Sequence, residues 1–162
     1  MINFKSSSKN LPEVIALCTS KGGIPKLPRD SVYVREEGIE GDGHNHAKHC
    51  SPLQAVCLQD VEILEDLTRE GFMLFHGAIG ENVTLKNANI QKYSLGTILR
   101  FSGGVVLELT KERKPCYVLD VVDERLKEVI IGRCGVYAKV LREGPLTVKE
   151  TVEILRPQSR IF

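Results

Sequence analysis

Most of this chain alternates between short apolar runs and turn-forming residues, and the runs have the length of strands. Val14 to Thr19 is an apolar run ending in a Lys-Gly-Gly turn, and Ser31 to Arg35, Gln54 to Leu58 and Asn82 to Lys86 are further candidates. Thr97 to Phe101 and Val105 to Thr110 read as a hairpin, because Ser102-Gly103-Gly104 between them supplies the positive φ angles of a tight turn. Val136 to Arg142 and Thr147 to Leu155 follow as two more strands, with Glu143-Gly144-Pro145 as their turn, while Ser20 to Asp30 reads as a loop.

Two stretches change to helical spacing. From about Asp60 to Glu70, Ile63, Leu64 and Leu67 make an apolar stripe, with Asp60 placed to cap the start and Gly71 to end it. From about Val118 to Ile130, Leu119, Val122, Leu126, Val129 and Ile130 recur on one face before Gly132. Many short strands, two short helices and no strict β-α alternation predict a mainly β fold. The expected architecture is a closed or nearly closed β-barrel with peripheral helices, one domain over 1–162 with its core at about 13–155.

Composition narrows the function. A net charge of +1, no Trp and no basic patch interleaved with aromatics argue against nucleic acid as a partner. No apolar run approaches a membrane span, and Met1 to Asn10 lacks the apolar stretch of a signal peptide. The five cysteines are odd in number and show no C-x-x-C spacing, so reduced thiols in the cytoplasm are expected.

Cys116 has the neighbours of a reactive thiol. It follows Pro115, which cannot donate to a sheet ladder, so the cysteine is expected at a strand end. Lys111, Arg113 and Lys114 precede it, and positive charge favours the thiolate that serves as nucleophile or metal ligand. Cys18 and Cys57 lie inside apolar strands and suit a buried role, which leaves Cys50 and Cys134 as competitors. The glycine-spaced loops Gly38 to His44 and Gly77 to Asn82 can converge backbone N–H groups on an anion, and they read equally well as turns. His44, His46, His49 and Cys50 put four potential metal ligands within seven residues, enough in number for zinc but without a second ligand segment.

Together these pieces resemble the MOSC family, the domain named for the C-terminal part of molybdenum cofactor sulfurases. The matches are Gly38-x-x-Gly41-Asp42-x-His44, His49 leading into Gln54 to Leu58, and Gly77-Ala78-Ile79-Gly80-Glu81-Asn82. Gly96-Thr97, Thr110-x-x-Arg113-x-Pro115-Cys116 and Gly135-Val136-Tyr137-Ala138-x-Val140-Leu141-x-x-Gly144 follow in family order. The resemblance implies a pyruvate-kinase-like barrel with Cys116 as persulfide acceptor or molybdenum ligand. It implies that Asp42, His44, Gly80, Glu81, Asn82, Thr110, Lys111 and Arg113 surround a molybdopterin-type molybdenum cofactor. A cysteine desulfurase or a molybdenum-cofactor enzyme would be sulfur donor or acceptor, and no pyridoxal phosphate is expected on this chain. The alternatives are a zinc-binding barrel enzyme using the His44-His46-His49-Cys50 loop, and a noncatalytic interaction barrel in cofactor biosynthesis. One departure is Leu146-Thr147, where the family often has Gly-Asp.

Overall fold

The computed structural model describes residues 10–43 and 51–156. Eleven strands occur among them: β1 (Glu13–Thr19), β2 (Leu27–Arg29), β3 (Ser31–Arg35), β4 (Gly38–Ile39), β5 (Val56–Asp60), β6 (Val83–Lys86), β7 (Ile98–Phe101), β8 (Val106–Glu112), β9 (Val136–Arg142), β10 (Gly144–Thr147) and β11 (Val152–Leu155). Eight form one sheet in the order β11-β7-β8-β9-β5-β6-β1-β2, and three form a second, β10-β3-β4. All pairs are antiparallel except β5 with β6, whose connection carries helix α1 (Val61–Arg69). A parallel pair needs such a crossover, since a tight turn cannot reverse the chain twice.

The expected closed barrel is not what forms. The larger sheet is open, with β2 and β11 as its edges. β1 explains why. Its ladder to β6 occupies one side, and β2 takes the other side from Leu17 to Thr19. What remains for the far end of the sheet is the isolated Glu13–Thr151 bridge with the backbone bonds of Pro12 and Val14 around it, ahead of β11 and too short to form a strand pair.

Strand pattern and burial agree closely where one face is wet. In β3 the positions alternate exposed and buried, with Val32 and Val34 inward. β5 is buried throughout, as a strand covered on both faces must be. Val32, Val34 and Leu146 of the small sheet share one apolar core with Leu17, Leu58, Leu85, Leu99, Leu107 and Leu109 of the large one. A second core joins the inner face of α1 (Leu64, Leu67) to Phe72, Ile79, Leu119, Leu126, Ile130 and Cys134.

Three other expectations are corrected. The helix expected over Val118 to Ile130 is a 3-10 turn at Tyr117–Val121 followed by a short α2 (Leu126–Val129). Asp123 causes the break: its carboxylate accepts from the Arg125 backbone N–H at 2.8 Å and from the Arg125 guanidinium, a local bond that competes with helix continuation. The helical stripe survives the break in part: Leu119, Leu126 and Ile130 are buried and Val122 is partly so, but Val129 is exposed. The strand expected over Thr147 to Leu155 is split, and Gly144-Pro145 opens β10 instead of forming a turn. Glu150 makes the split, accepting from Thr147 N at 2.7 Å and Gly103 N at 2.6 Å. β10 pairs with β3 alone, and such an edge strand accommodates Pro145. Within the loop expected at Ser20 to Asp30, β2 pairs with β1.

No helix among the described residues is long and apolar enough to cross a membrane. An open sheet predicts graded protection. Amide hydrogen exchange is expected to be slowest in β5, β8 and β9 and fastest in β2 and β11; uniform protection of all eight strands would contradict the open order.

Candidate functional site

The loops at 38–43 and 77–82 do meet, through a buried polar hub. Asp42, whose side chain is 2% exposed, accepts from Ser20 N at 2.9 Å through Oδ1. Its Oδ2 accepts from Lys26 Nζ at 2.7 Å and from Asn82 Nδ2 at 3.0 Å. Asn82 Nδ2 also donates to Cys18 O at 3.2 Å, and its Oδ1 accepts from Cys57 N at 3.0 Å. One carboxamide thus links β1, β5 and the 38–43 loop.

The glycines serve this convergence by absence of side chain. A Cβ on Gly43 would lie 1.9 Å from Lys21 O, and one on Gly77 would lie 2.1 Å from Lys26 O. Gly77 also holds φ +87°, a left-handed conformation that glycine adopts at no steric cost. A Cβ on Gly80 would come within 2.9 Å of Ile24 Cγ2 and 3.4 Å of Arg113 Nη2.

Arg113 comes to this place from the other direction. β8 bulges between Leu109 and Lys111 and ends at Glu112. Thr110, the bulged residue, sets its hydroxyl against the carbonyls of Leu53 and Tyr137. The next inward residue, Arg113, is 8% exposed; its backbone N donates to Gly135 O at 3.0 Å and its Nη2 to Ile79 O at 2.6 Å. Its Nη1 has no hydrogen-bond partner, and neither carboxylate oxygen of the fully buried Glu81 has one. Burial pushes the Glu81 carboxyl up to about 7, against the pull of nearby backbone amides and Arg113. Those amides favour the carboxylate electrostatically, yet none reaches hydrogen-bond geometry.

The thiols divide sharply. Cys18 is 1% exposed, and burial, with Glu81 adding to it, pushes its thiol up to about 11. Cys134 is fully buried and is likewise pushed up to about 11, chiefly by burial. Burial raises Cys57 as well. Of the four described cysteines, Cys116 alone is exposed. It stands just ahead of the 3-10 turn at 117–121, whose Leu119 N donates to Cys116 O at 3.1 Å, with Lys111, Lys114 and Tyr117 exposed around it in sequence.

Of the sequence-predicted residues, then, Asp42, Gly80, Glu81, Asn82 and Arg113 form one interior cluster, and Thr110 is bonded to neighbouring carbonyls. Lys111 and Cys116 face outward. His44, His46, His49 and Cys50 lie outside the described residues. Among the described residues no group of three or more His, Cys, Asp or Glu side chains is placed to hold a metal. A shallow groove along α1, lined by Leu64, Thr68, Leu74, Phe75 and His76, contains none of these residues. One member was missed in the sequence: Lys26 carries no local signal that separates it from neighbouring surface cations. Cys134, expected as a competitor to Cys116, is instead fully buried; it follows Ile130 by four residues and so extends the buried stripe.

This is a mainly β domain with a buried polar hub and, among the described residues, one exposed thiol. A profile of the MOSC domain matches residues 42–153, and the chain belongs to the MOSC domain family. A protein named Reductase from Gibberella moniliformis is 27% identical over 132 residues, covering 76% of this chain and 24% of its own length. The chain therefore spans about a quarter of that relative. The crystal structure of the YuaD protein from Bacillus subtilis superposes with a TM-score of 0.79 at 16% identity, covering 91% of this chain and 97% of that one. That of YiiM from Geobacillus stearothermophilus gives 0.73 at 23% identity, covering 92% and 77%. These likenesses establish the shared fold.

Two outcomes are expected of the cluster. Asp42→Ala leaves the Lys26 ammonium, 14% exposed, without its partner and should cost about 3 kcal/mol in urea unfolding. Glu81 should make stability pH-dependent. Between its ordinary value near 4.5 and about 7, the folded form keeps a proton that the unfolded chain has lost. Stability is then full below that window and declines across it by up to about 3 kcal/mol, remaining lower above pH 7. Glu81→Gln should remove most of that decline, leaving the part from Asp60, which burial raises to about 6. Parallel slopes for the two proteins in melting experiments would contradict the assignment.

Proposed function

We propose that this MOSC domain works in molybdenum-cofactor chemistry as a sulfur carrier, with Cys116 as the persulfide-accepting thiol. The observation that carries this reading is the division of thiols: Cys116 is exposed, whereas Cys18, Cys57 and Cys134 are buried and held protonated. The thiolate is the reactive form, and an exposed cysteine can reach a second protein. In the step proposed, the Cys116 thiolate attacks the terminal sulfur of a donor persulfide. A new S–S bond forms as the donor's S–S bond breaks, the donor leaves as a thiolate, and no external oxidant is needed. The donor fits a cysteine desulfurase and the acceptor a molybdenum-cofactor enzyme, in a reducing compartment such as the cytoplasm.

The same edge suits the cofactor itself. A thiolate is a soft ligand of the kind that transition metals take, and the exposed ammoniums of Lys111 and Lys114 suit a phosphate group. When bound, that group supplies a redox-active metal centre. Asp42, Asn82 and Arg113 support the edge from inside, since their polar atoms face the protein.

The test is Cys116→Ala. Native protein treated with iodoacetamide near pH 7 should be labelled at Cys116 well ahead of Cys18, Cys57 and Cys134. The variant should fold normally and lose persulfide uptake from a desulfurase. Retention of molybdenum and pterin by native protein, lost in the variant, would instead assign the thiol to metal ligation. Undiminished persulfide uptake in the variant would sink the proposal.

A further inference from the structure

The interior that Arg113 enters, three residues before Cys116, holds a combination that packing alone does not call for. Arg113 and Glu81 are both buried, one atom of the first and two of the second lack hydrogen-bond partners, and three thiols surround them. Burying a charge without full pairing is costly, and proteins retain such groups where position or proton occupancy matters. Here the cost is borne three residues before the exposed cysteine. Arg113 is fastened at two points, its backbone N to Gly135 O and its guanidinium to Ile79 O, so it fixes where the chain leaves β8. Gly80 is the spacer that admits the guanidinium, because a side chain there would crowd Nη2 at 3.4 Å.

We propose that Arg113 and Glu81 are positioning residues for Cys116, with proton occupancy of the Glu81 carboxyl setting how firmly Arg113 holds the Lys114–Cys116 segment. This rests on Cys116 being the working thiol and adds how its segment is controlled. With a proton, Glu81 is neutral and the guanidinium relies on Ile79 O. Without it, the carboxylate and guanidinium are opposite charges in a dry setting, where attraction is strong, and the segment is held more tightly. The groups facing Glu81 and Arg113 from the packed elements are Cys18 on β1, Cys57 on β5, Cys134 ahead of β9 and Tyr137 on β9, with Lys26 acting on Cys18 and Cys57. Burial raises all three thiols, and it raises the Tyr137 phenol to about 12, so none of them competes for the proton near neutrality.

The test is the rate of Cys116 alkylation by iodoacetamide from pH 5.5 to 9, divided by that of a free thiol titrated alongside. In native protein the Cys116 thiolate should slow by roughly two- to fivefold across a step centred near Glu81's value of about 7. Glu81→Gln, which keeps the side chain's shape, should lose the step while folding as before. Arg113→Met should lose it too, with Cys18 still protected if the fold holds. A step that persists in Glu81→Gln, or a flat profile in native protein, overturns the proposal. Should Arg113→Met fail to fold, Glu81→Gln decides alone. Labelling does not depend on persulfide or molybdenum, so failure of the sulfur-carrier reading leaves this result readable, and the converse holds.

Discussion

The Lys26–Asp42–Asn82 arrangement is the constraint on which the rest of the site depends. A carboxylate almost sealed from solvent is tolerated because three donors converge on it: an ammonium, a carboxamide and a backbone amide. Asn82 in turn carries the bonds to Cys18 O and Cys57 N. These bonds hold β1 and β5 to either flank of β6, which fixes the start of β6 and the path of the 77–82 loop before it. That loop presents Ile79 O to Arg113, which follows the end of β8 and is also tied to Gly135 O. These links are buried or partly buried, so the frame leading to the Cys116 segment is built from inside the molecule.

Seen this way, the loops' glycines have a role different from cradling an anion. At Gly43 and Gly77 two backbones approach too closely for any Cβ. The spacing that suggests a phosphate nest in the sequence arises here from chain-to-chain contact. Several polar residues in those loops are correspondingly consumed by the protein, and the charged residues left exposed just before Cys116 are Lys111, Glu112 and Lys114.

Local pattern made much of this legible. β3 and β9 have the bounds expected from their alternation, the glycine hairpin between β7 and β8 forms, and α1 falls within one or two residues of its predicted ends. What pattern could not convey was pairing at a distance. Barrel closure depends on whether β1 has a free side, which is decided by β2, a three-residue strand too short to show periodicity. The break in the second helix depends on one aspartate choosing a local partner, and the split of the last strand on one glutamate reaching across to Gly103. The site shows the same division. The exposure of Cys116 was legible from its immediate neighbours, whereas the inward turn of Arg113 is visible in three dimensions alone. Its charge suggests a surface anion ligand; its burial makes it part of the frame.

An unclosed sheet also has to live with its rims. Strand rims carry unpaired backbone groups that recruit other chains, the first step toward edge-to-edge association. β2 meets this hazard by composition: it is three residues long, fully exposed, and centred on Pro28, which has no N–H to offer an incoming strand, followed by the charged Arg29. Colloidal behaviour on this side of the molecule is therefore guarded by a three-residue strand far along the chain from Cys116.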